Sequence, residues 1–300
     1  MRNNGCRGVT RAGLGAAVLL ASCIDPEAVP METAGRIGSN GSQLQGDRLS
    51  GIQMQGVLPN FVSMQGTSLD AIQLGGRVLV GTQFQPAAFA NTPFTGTLSN
   101  GESVALRIDT ARLLPDSGGI WAYAVAYQTQ QGWSPLCGVD GAGAPIQAIP
   151  VPGIFDHTRG TATGGSYTPS TTSFTFGCRE AGIAKCVEFG YSAEAPGGHF
   201  AACTRMLRAD FCGDGRSWTL DGTLINFYDD IGVAFDRASW PFEAEWTPQG
   251  ASCVSATTTL RWVGATATPP PCLVSKPTAN CGALSHFATG TLLMTEYNGR

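Results

Sequence analysis

Charged residues and histidine are both scarce in this sequence of 300 residues. Only 13% of the residues are Asp, Glu, Lys or Arg, there are 3 histidines, and the formal net charge is −4. The lack of a basic excess argues against a nucleic-acid partner. The sequence also contains no Gly-x-Ser-x-Gly turn for a hydrolase nucleophile and no apolar run long enough to span a bilayer. Several common classes of enzyme and membrane protein are therefore disfavoured.

Glycine and apolar residues, in contrast, are abundant. The chain has 40 glycines, and 43% of its residues are hydrophobic, which is enough for a packed core. So much glycine with so little charge favours a β protein rich in turns over a helical one. The length suits one large domain or two modest ones.

The first 22 residues have the pattern of a secretory signal peptide. Three arginines precede an apolar run at residues 12–21, which ends in Leu-Ala-Ser just before Cys23. This ending resembles a bacterial lipobox, which implies cleavage before Cys23 and attachment of lipid to that cysteine. The alternative is an ordinary cleavage site followed by an incidental cysteine.

The residue after Cys23 bears on the destination of the protein. This residue is Ile24. An aspartate at the same position would suggest retention in the inner membrane. We therefore expect an exported lipoprotein of the outer membrane or cell surface, whose contact with the membrane is the lipid on Cys23. Residues 23–40 lack apolar periodicity and read as a flexible tether.

The other cysteines point to disulfide bonds. Eight remain for the mature domain, namely Cys137, Cys178, Cys186, Cys203, Cys212, Cys253, Cys272 and Cys281. An even number in an exported chain favours disulfides, although the sequence does not choose among the pairings. A zinc site made of Cys178, Cys186, Cys203 and Cys212 is the alternative, but its spacing lacks paired Cys-x-x-Cys ligands. We expect no metal and no cofactor.

A period of five residues runs through the segment 41–91. One phase carries glycines and another carries apolar residues, which are Leu44, Leu49, Met54, Met64, Leu69, Leu74, Leu79, Phe84 and Phe89, interrupted by Pro59. The pattern resembles the pentapeptide-repeat family, which implies a short coil like a right-handed β-helix. A Gln/Gly-rich spacer without a fixed fold is the alternative.

Residues 92–300 read as one antiparallel, strand-rich domain of the α+β class, mainly β. Asn100-Gly101 lies between two alternating arms and predicts a hairpin. Aromatic residues alternate with alanines at 121–127, which predicts a strand buried on both faces. Further strands are predicted at residues 173–176, 218–220, 224–227, 242–246, 259–262 and 291–294, with a second hairpin at Asp221-Gly222.

The stretch 201–215 concentrates cysteine, charge and helical periodicity. Phe200, Cys203 and Leu207 fall on one face of a helix. Asp and Gly residues at 210–215 then predict a tight turn. Residues 179–189 predict a second short helix that carries Cys186.

Five pieces of the domain resemble the ADYC domain family, which is named for an Ala-Asp-Tyr-Cys motif. They are Gly132–Gly138, Phe174–Cys178, Ile183–Val187, Ala202–Gly215 and Phe242–Pro248, so that the resemblance covers roughly residues 95–265. Phe211 stands where the motif has Tyr, which puts any role of that hydroxyl in doubt. The resemblance implies an exported, disulfide-stapled domain without an established activity.

The same motif supplies the candidates for chemistry. Asp210 and Asp214 could act as a carboxylate pair, with Arg205, Arg208 or His199 tuning their pKa values. The competing interpretation is that both aspartates shape the backbone turn. We expect a binding or structural module of the envelope that does not catalyse a reaction and has a protein or glycan ligand. The alternative is an envelope hydrolase that uses Asp210 and Asp214.

Overall fold

A computed structural model describes residues 51–55, 62–65, 68–74, 77–79, 94–97, 103–115, 119–170, 173–220, 222–237 and 240–299. Its strands are β1 (Gly51–Gln55), β2 (Val62–Gln65), β3 (Ser68–Leu74), β4 (Arg77–Leu79), β5 (Phe94–Thr97), β6 (Ser103–Leu113), β7 (Trp121–Thr129), β8 (Gly132–Pro135), β9 (Ala148–Pro152), β10 (Ile154–Phe155), β11 (Tyr167–Thr168), β12 (Ser173–Cys178), β13 (Asn226–Tyr228), β14 (Phe242–Thr247), β15 (Gly250–Val254) and β16 (Leu293–Glu296). Its α-helices are α1 (Gly182–Glu188), α2 (His199–Leu207) and α3 (Trp262–Ala265), and 3₁₀ turns lie at Pro271–Ser275 and Leu284–Thr289. The chain is α+β and mainly β, as its turn-rich composition predicts.

Six strands close into an antiparallel barrel. Neighbouring strands follow the order β6-β5-β1-β12-β9-β7, and β6 also pairs with β7, which completes the ring. Alternation along β7 turns Tyr123 and Val125 inward, where they pack with Phe174 and Phe176 of β12. Ala122, on the opposite face, contributes to a second core. The predicted strand at 121–127 is therefore confirmed, with both faces buried.

The strand β1 comes from the segment with the period of five and lies between β5 and β12. Gln53 is the Cα partner of Thr175 in β12 and of Thr97 in β5, and both pairings are antiparallel. The strands β2, β3 and β4 form a separate antiparallel sheet. These described strands differ from the coil predicted for residues 41–91, because successive turns of a β-helix pair in parallel. The rest of that segment lies outside the described residues.

Local turn chemistry accounts for the difference. Gln65 pairs with Ser68, and Leu74 pairs with Arg77, at the closed ends of two hairpins. In the sequence, Gly-Thr separates the first pair and Gly-Gly the second. Two-residue connections that contain glycine favour tight hairpin reversals. The pairing of the described strands thus fits antiparallel hairpins and not a coil.

The second sheet, in the order β13-β16-β14-β15, packs with α1 and α2 around the larger core. We call these elements the helix–sheet half. The helix α2 follows Gly198, which has a φ of 83°, and buries Phe200, Cys203 and Leu207 along one side. The helix α1 carries the buried Cys186. Both predicted helices are confirmed.

Two local predictions are wrong. Residues 218–220 form no strand, and residues 224–227 do not form a hairpin with them, because β13 pairs with β16 instead. Residues 259–262 do not form a strand but lead into α3. There, the backbone N–H and the Nε of Arg261 both donate to Glu243, which holds this segment against β14. In both cases a partner distant in sequence outweighs the local pattern.

Predictions for the N-terminus cannot be compared with the fold. The signal peptide at 1–22, the lipid site Cys23 and the tether at 23–40 lie outside the described residues. Among the helices that the structure does describe, none has the length and hydropathy needed to cross a membrane.

Candidate functional site

All eight cysteines between residues 137 and 281 are paired. The disulfides are Cys137–Cys178, Cys186–Cys203, Cys212–Cys272 and Cys253–Cys281. The alternative of a zinc site is wrong, because its four cysteines are divided among three disulfides. Within the described ranges no group of three or more metal-ligating side chains is present either. Four disulfides indicate an exported protein, since such bonds persist in oxidising compartments.

Asp210 lies at the centre of the turn that follows α2. Its buried carboxylate accepts the N–H of Asp214 at 3.0 Å and the N–H of Gly215 at 2.9 Å, and it pairs with Nη1 of Arg205 at 2.5 Å. Arg205 is also buried, and its Nη1 donates to the carbonyl of Gly164. The carboxylate therefore holds the turn and an arginine together and offers no open face to a substrate.

The same turn needs glycine for two reasons. Gly213 and Gly215 have φ values of 70° and 85°, in the left-handed region that side chains disfavour. A Cβ on Gly213 would also collide with the carbonyl of Gln249 in the hairpin between β14 and β15. The turn after α2 therefore fits against that hairpin only with glycine at this position.

Phe211 occupies the position where a tyrosine was expected. Its side chain is fully buried, and its ring lies 5.2 Å from the ring of Trp246, centroid to centroid. A phenyl ring requires no hydrogen-bond partner in this apolar position, whereas a buried tyrosine hydroxyl does. Phe211 acts here as a core residue.

The other catalytic candidates do not converge on Asp210. One carboxylate oxygen of Asp214 accepts the N–H of Arg216 at 3.1 Å, and the other lies 3.7 Å from the Nε of Arg216. Arg208 donates to the carbonyl of Gly215, and burial lowers the pKa of its guanidinium. The ring of His199 lies 3.4 Å from the exposed Asp230. The four residues therefore do not form an open carboxylate pair with a tuning base.

His157 is a second titratable group near this turn. Its Nε2 is buried and has no hydrogen-bond partner. Burial, together with the positive charge of Arg208, lowers the pKa of His157 to about 4. Burial raises the pKa of the neighbouring Asp156, but hydrogen bonds from Thr158 and Thr163 outweigh it, so that the net shift is downward. His157 is therefore neutral at pH 7, beside an ionised aspartate.

A buried ion pair on β14 was not predicted from the sequence. Nε of Arg261 lies 2.9 Å from a carboxylate oxygen of Glu243, and both side chains are fully buried. Nη2 of the same arginine donates to the carbonyl of Met206 at the end of α2, 3.0 Å away. The pair thus joins the second sheet to the helix.

Glu245, two residues further along β14, is also buried. Its carboxylate accepts the N–H of Gly282 at 2.7 Å and the hydroxyl of Thr291 at 2.9 Å, and it lies 2.7 Å from Nδ1 of His286. These partners belong to the C-terminal segment. Glu245 therefore fixes that segment to the sheet. The alternation in Phe-Glu-Ala-Glu-Trp does not reveal this, because a strand with one exposed face has the same pattern.

An open groove of about 690 Å³ lies beside the alanine face of β7. Its lining residues carry both signs of charge among small and apolar side chains: Asp109, Thr110, Arg112, Ala124, Asp140, Ala144, Pro145, Ile146, Gln147, Arg179 and Glu180. The volume falls within the range of small-molecule and cofactor sites. This is the one concave surface that we take as a candidate binding site.

The walls of the groove are fixed in place. The disulfide Cys137–Cys178 joins the start of the loop 138–147 to the start of the segment 179–180. The backbone N–H of Arg179 donates to the carbonyl of Gln147 at 3.0 Å, which ties the same two walls together again. The loop is closed by a further bridge between Val139 and Pro145. The groove is therefore formed before any ligand arrives.

Charged groups in the groove keep unused hydrogen-bonding capacity. Nε of Arg112 donates to Gln147 at 2.6 Å, and Nε of Arg179 donates to Glu188 at 2.5 Å. The Nη groups of both arginines make no hydrogen bond within the described part of the chain. Asp140 uses only Oδ1, which accepts the N–H groups of Ala142 and Ala144. Fixed donors and acceptors thus face one shared space.

An aromatic side chain lies next to this groove. The guanidinium of Arg107 stacks 4.6 Å above the ring of Trp133, which is 41% exposed. Nε of Arg107 also pairs at 2.6 Å with Asp109, which lines the groove. The polar surface therefore continues onto an indole ring.

None of the site residues predicted from the sequence lines the groove. Its members come from β6, β7, the loop before β9 and the segment just after β12, so that no local motif brings them together. The available signal was indirect. Cys137 and Cys178 were each predicted to form a disulfide with an unspecified partner, and charged residues follow both of them closely in the sequence. Their actual pairing places those charges side by side.

Comparison with known proteins gives one match. A family model described as the ADYC domain matches residues 86–260. No curated protein and no solved structure is similar enough to match the chain. The matched region contains the strands from β5 to β15. The barrel strand β1 and the sheet strand β16 lie outside it.

Proposed function

Because the chain belongs to the ADYC domain family, we propose that it is a lipid-anchored envelope protein whose ADYC domain binds a ligand without catalysing a reaction. The observation that carries the proposal is the groove, which is open, held in shape by a disulfide and lined by unused donors and acceptors. At Asp210, in contrast, the carboxylate is closed off by Arg205 and by turn amides. The alternative of a hydrolase that uses Asp210 and Asp214 has no comparable support.

The charges of the groove favour a ligand that carries both signs. The guanidinium groups of Arg112 and Arg179 suit a carboxylate, which they can bind with two parallel hydrogen bonds. The carboxylates of Asp109 and Asp140 suit an ammonium group. A peptide segment with one acidic and one basic side chain supplies both. We therefore propose a protein ligand and treat a glycan as the competing outcome.

Calorimetric titration distinguishes the two ligands. The probes are a blocked short peptide with one Glu and one Lys and a neutral oligosaccharide, both titrated at low salt. Replacing Arg112 and Arg179 together by Gln should weaken binding of the peptide at least about tenfold, since charge-assisted hydrogen bonds are lost. Arg216→Gln is the matched control, because this arginine is exposed and outside the groove.

Three results would change the proposal. If the oligosaccharide binds and the groove variant abolishes that binding, the groove remains the site but the peptide is wrong. If the groove variant does not alter binding, the site is wrong. If neither probe binds, a ligand with both charges is not supported.

Anchoring is a separate part of the proposal. It rests on the sequence around Cys23 and on the oxidised cysteines of the mature domain. The mass of the N-terminal peptide of the detergent-extracted protein should show lipid on Cys23. Cys23→Ala should move the protein from the membrane fraction to the soluble fraction. An intact residue 1–22 leader on the mature protein would contradict export by this route.

A further inference from the structure

An exposed indole ring lies just outside the groove. It belongs to Trp133 in β8, which is 41% exposed. The guanidinium of Arg107 covers one side of the ring, so that the exposed fraction is the part that remains open to a ligand. Nε1 of Trp133 donates no hydrogen bond to the part of the chain that the structure describes. Indole rings in this situation are typical anchors for a binding partner.

Strand register places this ring on the face of the sheet that carries the groove. Arg107 in β6 and Pro135 in β8 are both Cα partners of Ala126 in β7, so that the three side chains share a face. Residues two apart along a strand also share a face. Trp133 therefore lies on the face of Pro135. Ala124, which lines the groove, lies on the face of Ala126.

No bulky side chain of β7 separates the indole from the groove. On this face, Ala124 and Ala126 are the residues of β7 that lie before Gln128, the Cα partner of Trp133. An alanine side chain ends at Cβ, so the surface stays low along this part of the strand. An extended peptide can therefore pass from the groove to the indole without meeting a large side chain of β7.

The indole is backed by a side chain that is itself held in place. Arg107 stacks 4.6 Å from the centre of the Trp133 ring, and its Nε pairs at 2.6 Å with Asp109, which lines the groove. Both members of this ion pair are more than a third exposed, so the pair adds little stability. Its effect is to orient the guanidinium, and a preorganised surface loses less entropy when a ligand binds.

We propose that the binding site continues along β7 to Trp133, whose open side takes an aromatic side chain of the peptide ligand. This proposal rests on the proposed function, because it extends the same groove. A neutral aromatic ring fits better than a cation, since Arg107 already places a positive charge on the indole. Offset and edge-to-face contacts between aromatic rings strengthen binding, here by about tenfold.

The register also predicts how far apart the two contacts of the peptide lie. Arg112, which suits the acidic side chain, is the Cα partner of Ala122, and Trp133 is the partner of Gln128. These two positions of β7 are separated by about 20 Å, at a rise of about 3.3 Å per residue. An extended peptide rises by nearly the same amount. Its aromatic residue should therefore stand about six residues from its acidic one.

Calorimetric titration of the full chain with two peptides tests this spacing. The first is a blocked peptide with Glu and Lys at its centre and one Phe about six residues away on each side, so that both directions of binding are covered. The second has the same composition, but each Phe stands next to the central pair. We expect the first peptide to bind about tenfold more tightly. Trp133→Ala should remove this preference by weakening binding of the first peptide alone.

Two further variants separate the indole from general effects. Phe235→Ala removes an aromatic side chain that is 72% exposed and lies outside the groove, so it should keep the preference between the peptides. Trp133→Phe retains an aromatic ring at the proposed position and should keep most of the preference.

Four results would overturn the proposal. If both peptides bind equally and replacing Arg112 and Arg179 by Gln weakens both, the proposed function stands but the extension to Trp133 is wrong. If Trp133→Ala weakens both peptides to the same extent, the indole shapes the groove and takes no side chain. If Trp133→Ala abolishes binding of the neutral oligosaccharide instead, the indole binds a sugar. If neither peptide binds, the proposed function fails and the extension fails with it.

Discussion

The barrel and the helix–sheet half are stabilised by different means. Apolar side chains such as Tyr123, Val125 and Phe176 fill the barrel, and one disulfide, Cys137–Cys178, is part of the same core. The helix–sheet half contains the other three disulfides and the buried ion pairs of Asp210 and Glu243. Both regions have a packed apolar core, but the helix–sheet half adds most of the cross-links and the buried charges.

Backbone hydrogen bonding explains the difference. A closed ring pairs every strand edge, so that the N–H and C=O groups of its strands bond to one another. The helix–sheet half has short helices and long irregular segments, whose buried backbone groups need other partners. Asp210 accepts turn amides, while Arg205 and Arg261 donate to the carbonyls of Gly164 and Met206. Charged residues are thus buried where regular pairing ends.

The largest effect should come from removing the charge at Asp210. Asp210→Asn keeps the shape of the side chain but leaves Arg205 buried without its counter-charge. Breaking one side of a buried pair costs about 3–5 kcal/mol of unfolding free energy. Urea unfolding followed by tryptophan fluorescence measures the loss.

Asp214→Asn is the matched control for that variant. Its carboxylate bonds an exposed arginine, so the loss should stay below about 1 kcal/mol. If Asp210→Asn unfolds at the same urea concentration as the parent, Asp210 does not hold the turn, and the contrast between the two regions loses its main support.

The next largest effect should come from the disulfides. Replacing Cys212 and Cys272 by Ala opens a cross-link across 60 residues, for which chain entropy predicts about 4 kcal/mol. Replacing Cys137 and Cys178 opens one across 41 residues. On chain entropy alone, opening this shorter loop costs slightly less than the first, also about 4 kcal/mol. Guanidinium unfolding of both variants measures the difference.

This comparison tests whether the barrel is stable without its disulfide. A loss for Cys137 and Cys178 equal to or greater than that for Cys212 and Cys272 would show that the barrel also depends on its cross-link. The pair Cys186 and Cys203, across 17 residues, serves as the short-loop reference at about 3 kcal/mol.

Local sequence patterns predict the elements of both regions better than their assembly. Alternation predicts β7, helical spacing predicts α1 and α2, and an even number of exported cysteines predicts disulfides. Closure of the barrel is not predictable in this way, because β1 pairs with strands that lie far along the chain. The same holds for β13, whose partner is the C-terminal strand β16.

The candidate site shows the same division. The turn role of Asp210 follows from the glycines and aspartates around it, which act over a few residues. The buried charges of Glu243 and Glu245 do not follow, since their partners Arg261 and His286 come from later segments. The groove is likewise assembled by a disulfide pairing that the sequence left open. Interactions that require long-range contact are thus the ones that sequence patterns miss.

The smallest expected effect concerns pH and should be confined to the helix–sheet half and its adjoining loops. The barrel contains no histidine, whereas His157 has a pKa of about 4 in the folded protein and about 6.5 when unfolded. Between these values the unfolded chain binds a proton that the folded chain does not. The free energy of unfolding should therefore fall as the pH drops from 6.5 to 4, by about 1 to 3 kcal/mol.

The variant His157→Gln isolates this contribution, because contributions that the variant shares with the parent cancel in the difference between their pH profiles. Below pH 4 the lowered pKa of Asp156 adds a second loss, since its carboxylate then becomes protonated. Hydrogen–deuterium exchange at pH 5 should show the loop at residues 154–168 and the end of α2 opening earlier than β7. If β7 opens first, the two regions do not differ in acid sensitivity as proposed. If His157→Gln loses as much unfolding free energy between pH 6.5 and 4 as the parent does, the acid sensitivity belongs to another group.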